Sequence, residues 1–362
     1  MNYELKSHLK TLVESHAPSG YESPIQAVVR EAWTPFVSDF QQDGLGSLIG
    51  IKRATHPPVT PRRIMLAAHV DEIGMIVRDV IDGFILFNGL HGVDNRVMPA
   101  QSVRVHGRES LRGIVATKPP HLLTEAEKRK YPDWDHLMID VGLPAARVAE
   151  LVRVGDIITV DVPMVELLGR KLAAKAFDNR ASVAAVTHAL FLLQSMTHTW
   201  DVYAAATTQE EVGLRGAATA AHHIAPDIAI ALDVTFGTQP GNNGSDTYEL
   251  GSGATLSMGP NFHPKLFAAI KQSAQALEMT ISEEVLTGNS GTDAWAIQVA
   301  QVGIPTALIG IPLRNMHSPV ETLDLRDIER AGRLLAHFIA TLDADFLATL
   351  DWQRPTPQEA TV

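Results

Sequence analysis

The stretch Ala204–Gly216, AAATTQEEVGLRG, runs from small apolar residues into two adjacent carboxylates and then a glycine. Together with the preceding DVY it reads as a strand with no polar alternation, the pattern of a strand covered on both faces. A helix follows in GLRGAATAAHHI, so the unit is strand, acidic turn, helix. Its end is the unusual part. Side by side, Glu210 and Glu211 repel each other unless a cation or solvent compensates them.

The same alternation extends on both sides. Downstream come DIAIALDVT as a strand and HPKLFAAIKQSAQALEM as a helix, with Asn261 or His263 near its start. GTDAWAIQVAQVG reads as a helix, PTALIGIP as a strand, and DLRDIERAGRLLAHFIATL as the last long helix. Upstream, NRASVAAVTHALFLLQSM is a helix. At the N-terminus, Leu5, Leu9, Leu12 and Val13 fall at helical spacing, predicting an amphipathic helix over 3–16. A second helix, PIQAVVREAWTPF, has Ser23 as its cap and Pro24 as its first residue. DFQQDGLGSLIGIKR reads as a hairpin and RRIMLAAHVDEIGMIVRDV as strand, turn, strand. Strands alternating with helices predict an α/β sheet covered on both faces.

Between about Asp71 and Glu166 the texture changes. GFILFNG, SVRVHGR, LRGIVAT and DIITVDV are short alternating stretches separated by Gly, Pro, Asn and Asp, the signature of small antiparallel strands. LTEAEKRK reads as a short helix with Thr124 and Glu127 spaced as a capping box, and GLPAARVAELVRVGD as another. The expected organisation is a discontinuous α/β domain over 1–70 and 167–350, a β-rich insert over 71–166, and a loose polar tail over 351–362.

Composition narrows the function classes. The chain has 362 residues, 45% of them hydrophobic, enough for a sizeable core. It is acidic, with 41 Asp and Glu against 30 Lys and Arg, and carries no basic run, which argues against nucleic acid as a partner. The absence of cysteine excludes disulfides, thiol catalysis and thiolate metal sites. The polar start lacks a signal-peptide layout, and no apolar run approaches the roughly 20 residues that span a bilayer. A cytoplasmic location and no membrane partner are expected.

Polar residues gather where the apolar strands end. His69 and Asp71 follow IMLAA, Glu210 and Glu211 follow VYAAATT, Asp233 follows IAIAL, and His317 lies past TALIGIP. Asp178 lies in AKAFDNRAS, before a helix. Open α/β sheets place ligands beyond the carboxyl ends of their strands, so these residues are expected to converge. Histidines and carboxylates without thiols suit Zn²⁺, Co²⁺ or Mn²⁺. Five ligand candidates plus a spare glutamate match a two-metal site with one bridging carboxylate. One glutamate of the pair is then a ligand and the other a base. Asp71 is placed to hold the second ring nitrogen of His69. Taken singly, each has a plainer reading, Asp233 as a capping residue and the glutamate pair as a solvated turn. His222 and His223 read as packing or surface groups.

In order along the chain, AAHVDEIGMIV, KAFDNR, TTQEEVGLRGA, LDVT, SGTDA and RNMHSPVETLDLRD resemble metallopeptidase family forty-two, the dinuclear aminopeptidases of tetrahedral (TET), glutamyl and deblocking type. VHGRESLRGIVATKPPHLLTEAEK and MIDVG resemble that family's β-rich dimerisation domain. The likeness runs from near residue 3 to about 345. It implies a three-layer α/β metallopeptidase-type catalytic domain with an inserted, small, PDZ-like β-rich dimerisation domain. It implies His69 and Asp233 as ligands of one metal, Glu211 and His317 as ligands of the other, and Asp178 as the bridge. Glu210 would be the general base, Asp71 the partner of His69, and Asp178–Asn179 a cis peptide. The implied cofactors are two divalent cations per subunit, and the implied substrates are short peptides with a free N-terminus. A dimer-based homo-oligomer, the tetrahedral dodecamer, is the implied assembly. Three other readings stand beside this one: a glycoside hydrolase, which needs two carboxylates but no histidines; a metal-dependent amidase or deacetylase on the same scaffold; and a non-catalytic oligomeric scaffold, which has no use for an intact base.

Overall fold

Four strands run parallel through the middle of an eight-stranded sheet: Asp201–Thr207, Arg63–His69, Ile228–Phe236 and Thr306–Leu313, in that spatial order. The computed structural model describes residues 3–350. The tail at 351–362 lies outside the described residues. Antiparallel strands complete the sheet on both sides. Leu48–Lys52 and Asp39–Gln42 form the expected hairpin beside 201–207. Thr255–Met258 runs antiparallel to 306–313, and Ser282–Val285 pairs with it in parallel at the edge.

The central strands are buried almost throughout, as their unbroken apolar runs require. Helices cover both faces. Leu5–Val13, Ser23–Trp33, Phe177–Leu192, Pro264–Ala276 and Leu325–Thr341 bury their apolar stripes on one side. Arg215–Ile224 and Asp293–Gln298 bury Ala217, Ala220, Ala294 and Ile297 on the other. The three-layer architecture is therefore as expected. Gly216 shows how tightly the second layer sits. A Cβ there would lie 2.4 Å from the Thr208 carbonyl oxygen, so only glycine lets the helix start against the acidic turn.

Six short strands close into a small barrel between Met75 and Val160, with its own core of Val77, Ile85, Phe87, Val103, Ile139 and Ile158. Several local expectations shift. The first helix is shorter than 3–16, ending at Val13. Around 124–129 the capping box forms, Thr124 and Glu127 each accepting the other's backbone N–H, yet only a 3-10 turn at Glu127–Arg129 follows. The helix read through 291–303 spans only Asp293–Gln298. Strands at 255–258, 282–285 and Glu321–Asp324 escaped the sequence pattern, because they are four residues long and carry polar or acidic side chains. Among the described residues no helix is long and apolar enough to cross a membrane.

A buried ionic node ties these layers together. The Glu72 carboxylate meets Lys175 Nζ at 2.6 Å and Arg180 Nη2 at 3.1 Å, and accepts the Ala17 N–H at 2.9 Å. Arg180 donates further to the Leu12, Ser15 and Val70 carbonyls. The end of the first helix, the turn after strand 63–69 and the start of helix 177–192 are thus fastened to one another. Burial opposes ionisation of Glu72, but Lys175 and Arg180 overcome it and hold the carboxyl down to about 2, against 4.5 when unfolded. A depressed carboxyl contributes stability above its unfolded value, and that stability is lost as pH falls. Glu72→Gln leaves two buried cations uncompensated and is expected to destabilise the protein at neutral pH by roughly 3–5 kcal/mol. Urea denaturation from pH 7 down to pH 2 checks this: the wild type should lose stability below about pH 4.5, and the variant should lose less over the same range.

Candidate metal centre

The register of the parallel strands builds the site. Thr207 pairs with His69, and Ala231 pairs with Ala67, so Asp233 stands level with His69 on the same face. Beyond Thr207 the chain turns sharply through Gln209, whose φ is +55°, and delivers Glu210 and Glu211. His317 follows strand 306–313 and also has a left-handed φ, +59°. Such a conformation is costly for a residue with a Cβ and persists where its surroundings over-determine it. Asp178 and Asn179 break from helical angles at the start of helix 177–192, and a cis peptide joins them, as the family resemblance implied.

All seven residues singled out in the sequence come together. His69 Nε2 lies 3.2 Å from Asp178 Oδ1, 3.8 Å from Glu210 Oε2 and 3.9 Å from Asp233 Oδ1. His317 Nε2 lies 3.3 Å from the other Asp178 oxygen, Oδ2, and 3.4 Å from Glu211 Oε2. Asp178 therefore turns one carboxylate oxygen to each histidine. One donor atom from each of His69, Glu210 and Asp233 lies within 4.8 Å of the others, and the same holds for His69, Asp178 and Glu211. By contrast His222 and His223 lie on an exposed helix face, as expected.

Asp71 does more than the pattern suggested. Its carbonyl oxygen is 3.2 Å from His69 Nδ1 and its Oδ1 is 3.5 Å away, which leaves Nε2 to face the carboxylates. The same carboxylate accepts the backbone N–H groups of Glu210 at 3.1 Å and Glu211 at 3.2 Å, and the Ser19 hydroxyl at 2.6 Å. Glu321, which the sequence reading passed over, is its counterpart. It accepts the N–H of Asp178 at 3.1 Å and of His317 at 3.0 Å. Two buried carboxylates thus each clamp the backbone of two site residues. Only pairing across the small sheet reveals this, because Glu321 is placed by its strand's register with Ala174. The barrel also closes over the site. A Cβ on Gly92 would lie 3.0 Å from the His317 ring, so the loop after the second barrel strand lies against it.

The protein supplies too few positive charges for these acids. Burial and nearby carboxylates push Glu210 up to about 10 and Glu211 up to about 8, and raise Asp233 well above the usual carboxylate range. Burial works against charging His69, but Glu210, Asp178 and Asp71 outweigh it and raise its pKa. His317, hydrogen-bonded to Asp178, is pushed up to about 9. Glu211 Oε1 is buried with no hydrogen-bond partner. An orphaned carboxylate oxygen, acids that resist ionisation, and imidazole nitrogens aimed at carboxylates are features that divalent cations would satisfy. The donor set of imidazole and carboxylate, without thiolate, fits zinc, cobalt or manganese.

Comparison with known proteins finds aminopeptidases. A family model described as M42 glutamyl aminopeptidase matches residues 46–334. A lysyl aminopeptidase of Pyrococcus furiosus is 34% identical over 332 residues, 90% of this chain and 94% of that protein. The crystal structure of a TET aminopeptidase from a marine-sediment thaumarchaeon superposes with a TM-score of 0.89 at 33% identity, covering 96% of this chain and 99% of that one. The TET1 peptidase of Pyrococcus horikoshii, described as assembling into a tetrahedron or a large octahedral shell, matches with a TM-score of 0.81 at 28% identity, covering 94% of this chain and 100% of that one. The chain belongs to the M42 glutamyl aminopeptidase family, whose relatives are peptidases.

Proposed function

We propose that this protein is a dinuclear metallo-aminopeptidase that removes N-terminal residues from short peptides. The observation that carries the reading is the shared Asp178 carboxylate, one oxygen 3.2 Å from His69 and the other 3.3 Å from His317. A carboxylate so placed could be shared by two cations. His69 and Asp233 would hold one cation, and Glu211 and His317 the other, with Asp178 between them. Two bound Zn²⁺, Co²⁺ or Mn²⁺ ions would supply Lewis acidity at the substrate carbonyl and a water of lowered pKa.

The chain's own residues would do the rest. Glu210 lies 3.8 Å from His69 Nε2, and burial with neighbouring carboxylates pushes it up to about 10. It would take a proton on its carboxylate as the carbonyl is attacked and hand it to the departing amine. Asp71 and Glu321 would keep the site residues in place through their backbone clamps. The carboxylates around the site favour the positive N-terminus of a peptide, which suits removal of terminal residues over internal cleavage. A glycosidase would have no use for the two histidines, and an intact Glu210 argues against a scaffold without catalysis.

For assembly, the reading is a dimer-based homo-oligomer, built through the barrel and extending to a tetrahedral dodecamer. Exposed apolar side chains in the insert, Ile81, Phe84, Ile114, Leu122 and Tyr131, support a covered face there. So does the relative described as forming a tetrahedron.

Hydrolysis of a panel of aminoacyl-p-nitroanilides by protein loaded with Zn²⁺, Co²⁺ or Mn²⁺ tests the activity, with a chelated control expected to be silent. Glu210→Gln is expected to retain both cations and lose about 10²–10⁴-fold in kcat; a near-normal rate would remove Glu210 as the base. Asp178→Ala is expected to lose metal by elemental analysis, and a fully loaded, active variant would refute the bridge. Light scattering of metal-replete protein should give twelve subunits or a dimer-based assembly, and a monomer alone would overturn the oligomer reading.

A further inference from the structure

One acid at the site has no part in the scheme above. Asp293, 2% exposed, is the first residue of helix 293–298, on the sheet face that carries His69, Thr207 and Asp233. Its Oδ2 accepts a hydrogen bond from the Thr207 hydroxyl at 2.5 Å. Its Oδ1 is buried with no partner. The carboxylate stands beside the centre, because Thr207, whose hydroxyl it accepts, is the strand partner of His69. No Lys or Arg is among the groups acting on it. A buried carboxylate with one orphaned oxygen costs stability in the protein alone. Something absent from the chain has to compensate it.

We infer that Asp293 is an outer anion of the metal centre, a positioning residue that strengthens cation binding on the His69–Asp233 side without being a ligand. This rests on the two-cation reading above. The Thr207 hydroxyl fixes one oxygen, at the end of the strand that leads into Glu210, and leaves the other toward the centre. The arrangement parallels the partners that hold and polarise metal ligands from outside the first ring of donors. Its effect is expected on the His69 side, because Thr207, which holds it, pairs with His69 in the sheet.

The test is titration of metal-free protein with Co²⁺, followed by visible absorption and by elemental analysis of the bound metal. The wild type should take up two equivalents. Asp293→Asn keeps an acceptor for Thr207 and removes the charge. It is expected to weaken one of the two binding steps by about 10–100-fold and leave the other unchanged. Thr207→Val removes the hydroxyl and keeps the charge, and is expected to weaken the same step by less than Asp293→Asn does. If the Asp293→Asn steps superimpose on those of the wild type, the inference is overturned. It is overturned equally if Thr207→Val weakens binding as much as Asp293→Asn, since packing would then explain both. Asp293→Ser supplies the same comparison if the amide variant does not fold. A wild type that takes up no Co²⁺ would instead sink the two-cation reading itself, so the two failures are distinguishable.

Discussion

Everything at the carboxyl end of the sheet answers to one constraint: too much negative charge is buried in too small a space. Asp71, Asp178, Glu210, Glu211, Asp233, Asp293 and Glu321 are all buried there, with His69 inside the cluster and His317 at its edge. Burial alone disfavours each ionised carboxyl, and each neighbour adds repulsion. The protein relieves part of this internally. Asp71 and Glu321 spend their oxygens on backbone N–H groups, and Asp293 spends one of its two on a hydroxyl. Asp178, Glu210, Glu211 and Asp233 are left facing imidazoles and one another. The two cations proposed above would resolve that remainder, so the proposal draws on the electrostatics as well as on kinship.

Such crowding needs a stiff frame, and the fold provides it beside the site instead of within it. The Glu72 node joins the first helix, the turn after His69 and the residues flanking Asp178. Its charges balance more nearly, with a carboxylate against an ammonium and a guanidinium, so it can hold without any added ion. Glu72 is the neighbour of Asp71, and Lys175 and Arg180 bracket Asp178. A displacement of the node would therefore move both clamped acids. Strain follows the same logic. Left-handed Gln209 and His317 sit next to or within the cluster, where neighbouring bonds hold them.

The barrel relates to the site as a wall as well as an insert. Its loop brings Gly92 against His317, and Met75, Val93, Val97 and Met98 line the narrow cleft that reaches Asp178 and Glu211.

Local pattern was enough for much of this. Unbroken apolar runs such as Ile64–Ala68, set between helical stretches, fit central strands, because a strand facing water on one side would alternate. Acids and histidines at the ends of those runs had to converge once the strands ran parallel, so His69, Asp178, Glu210, Glu211, Asp233 and His317 were legible from order and residue type, and the motif likeness sorted them into roles. What escaped was whatever depends on a partner distant in the chain. Glu321 lies in a four-residue strand whose pairing with 171–174 no periodicity announces. Asp293 lies in a stretch quoted for its likeness, yet its place above Thr207 depends on how one short helix packs across the sheet. Asp71 was expected to hold a ring nitrogen of His69, and it does so through its carbonyl with Oδ1 close by, but that its carboxylate also clamps two amides no local pattern announced. Which elements form and which acids gather could be read along the chain, because burial and period are local properties. Which oxygen meets which nitrogen could not, because hydrogen bonds depend on ångström-scale approach between segments that the chain holds far apart.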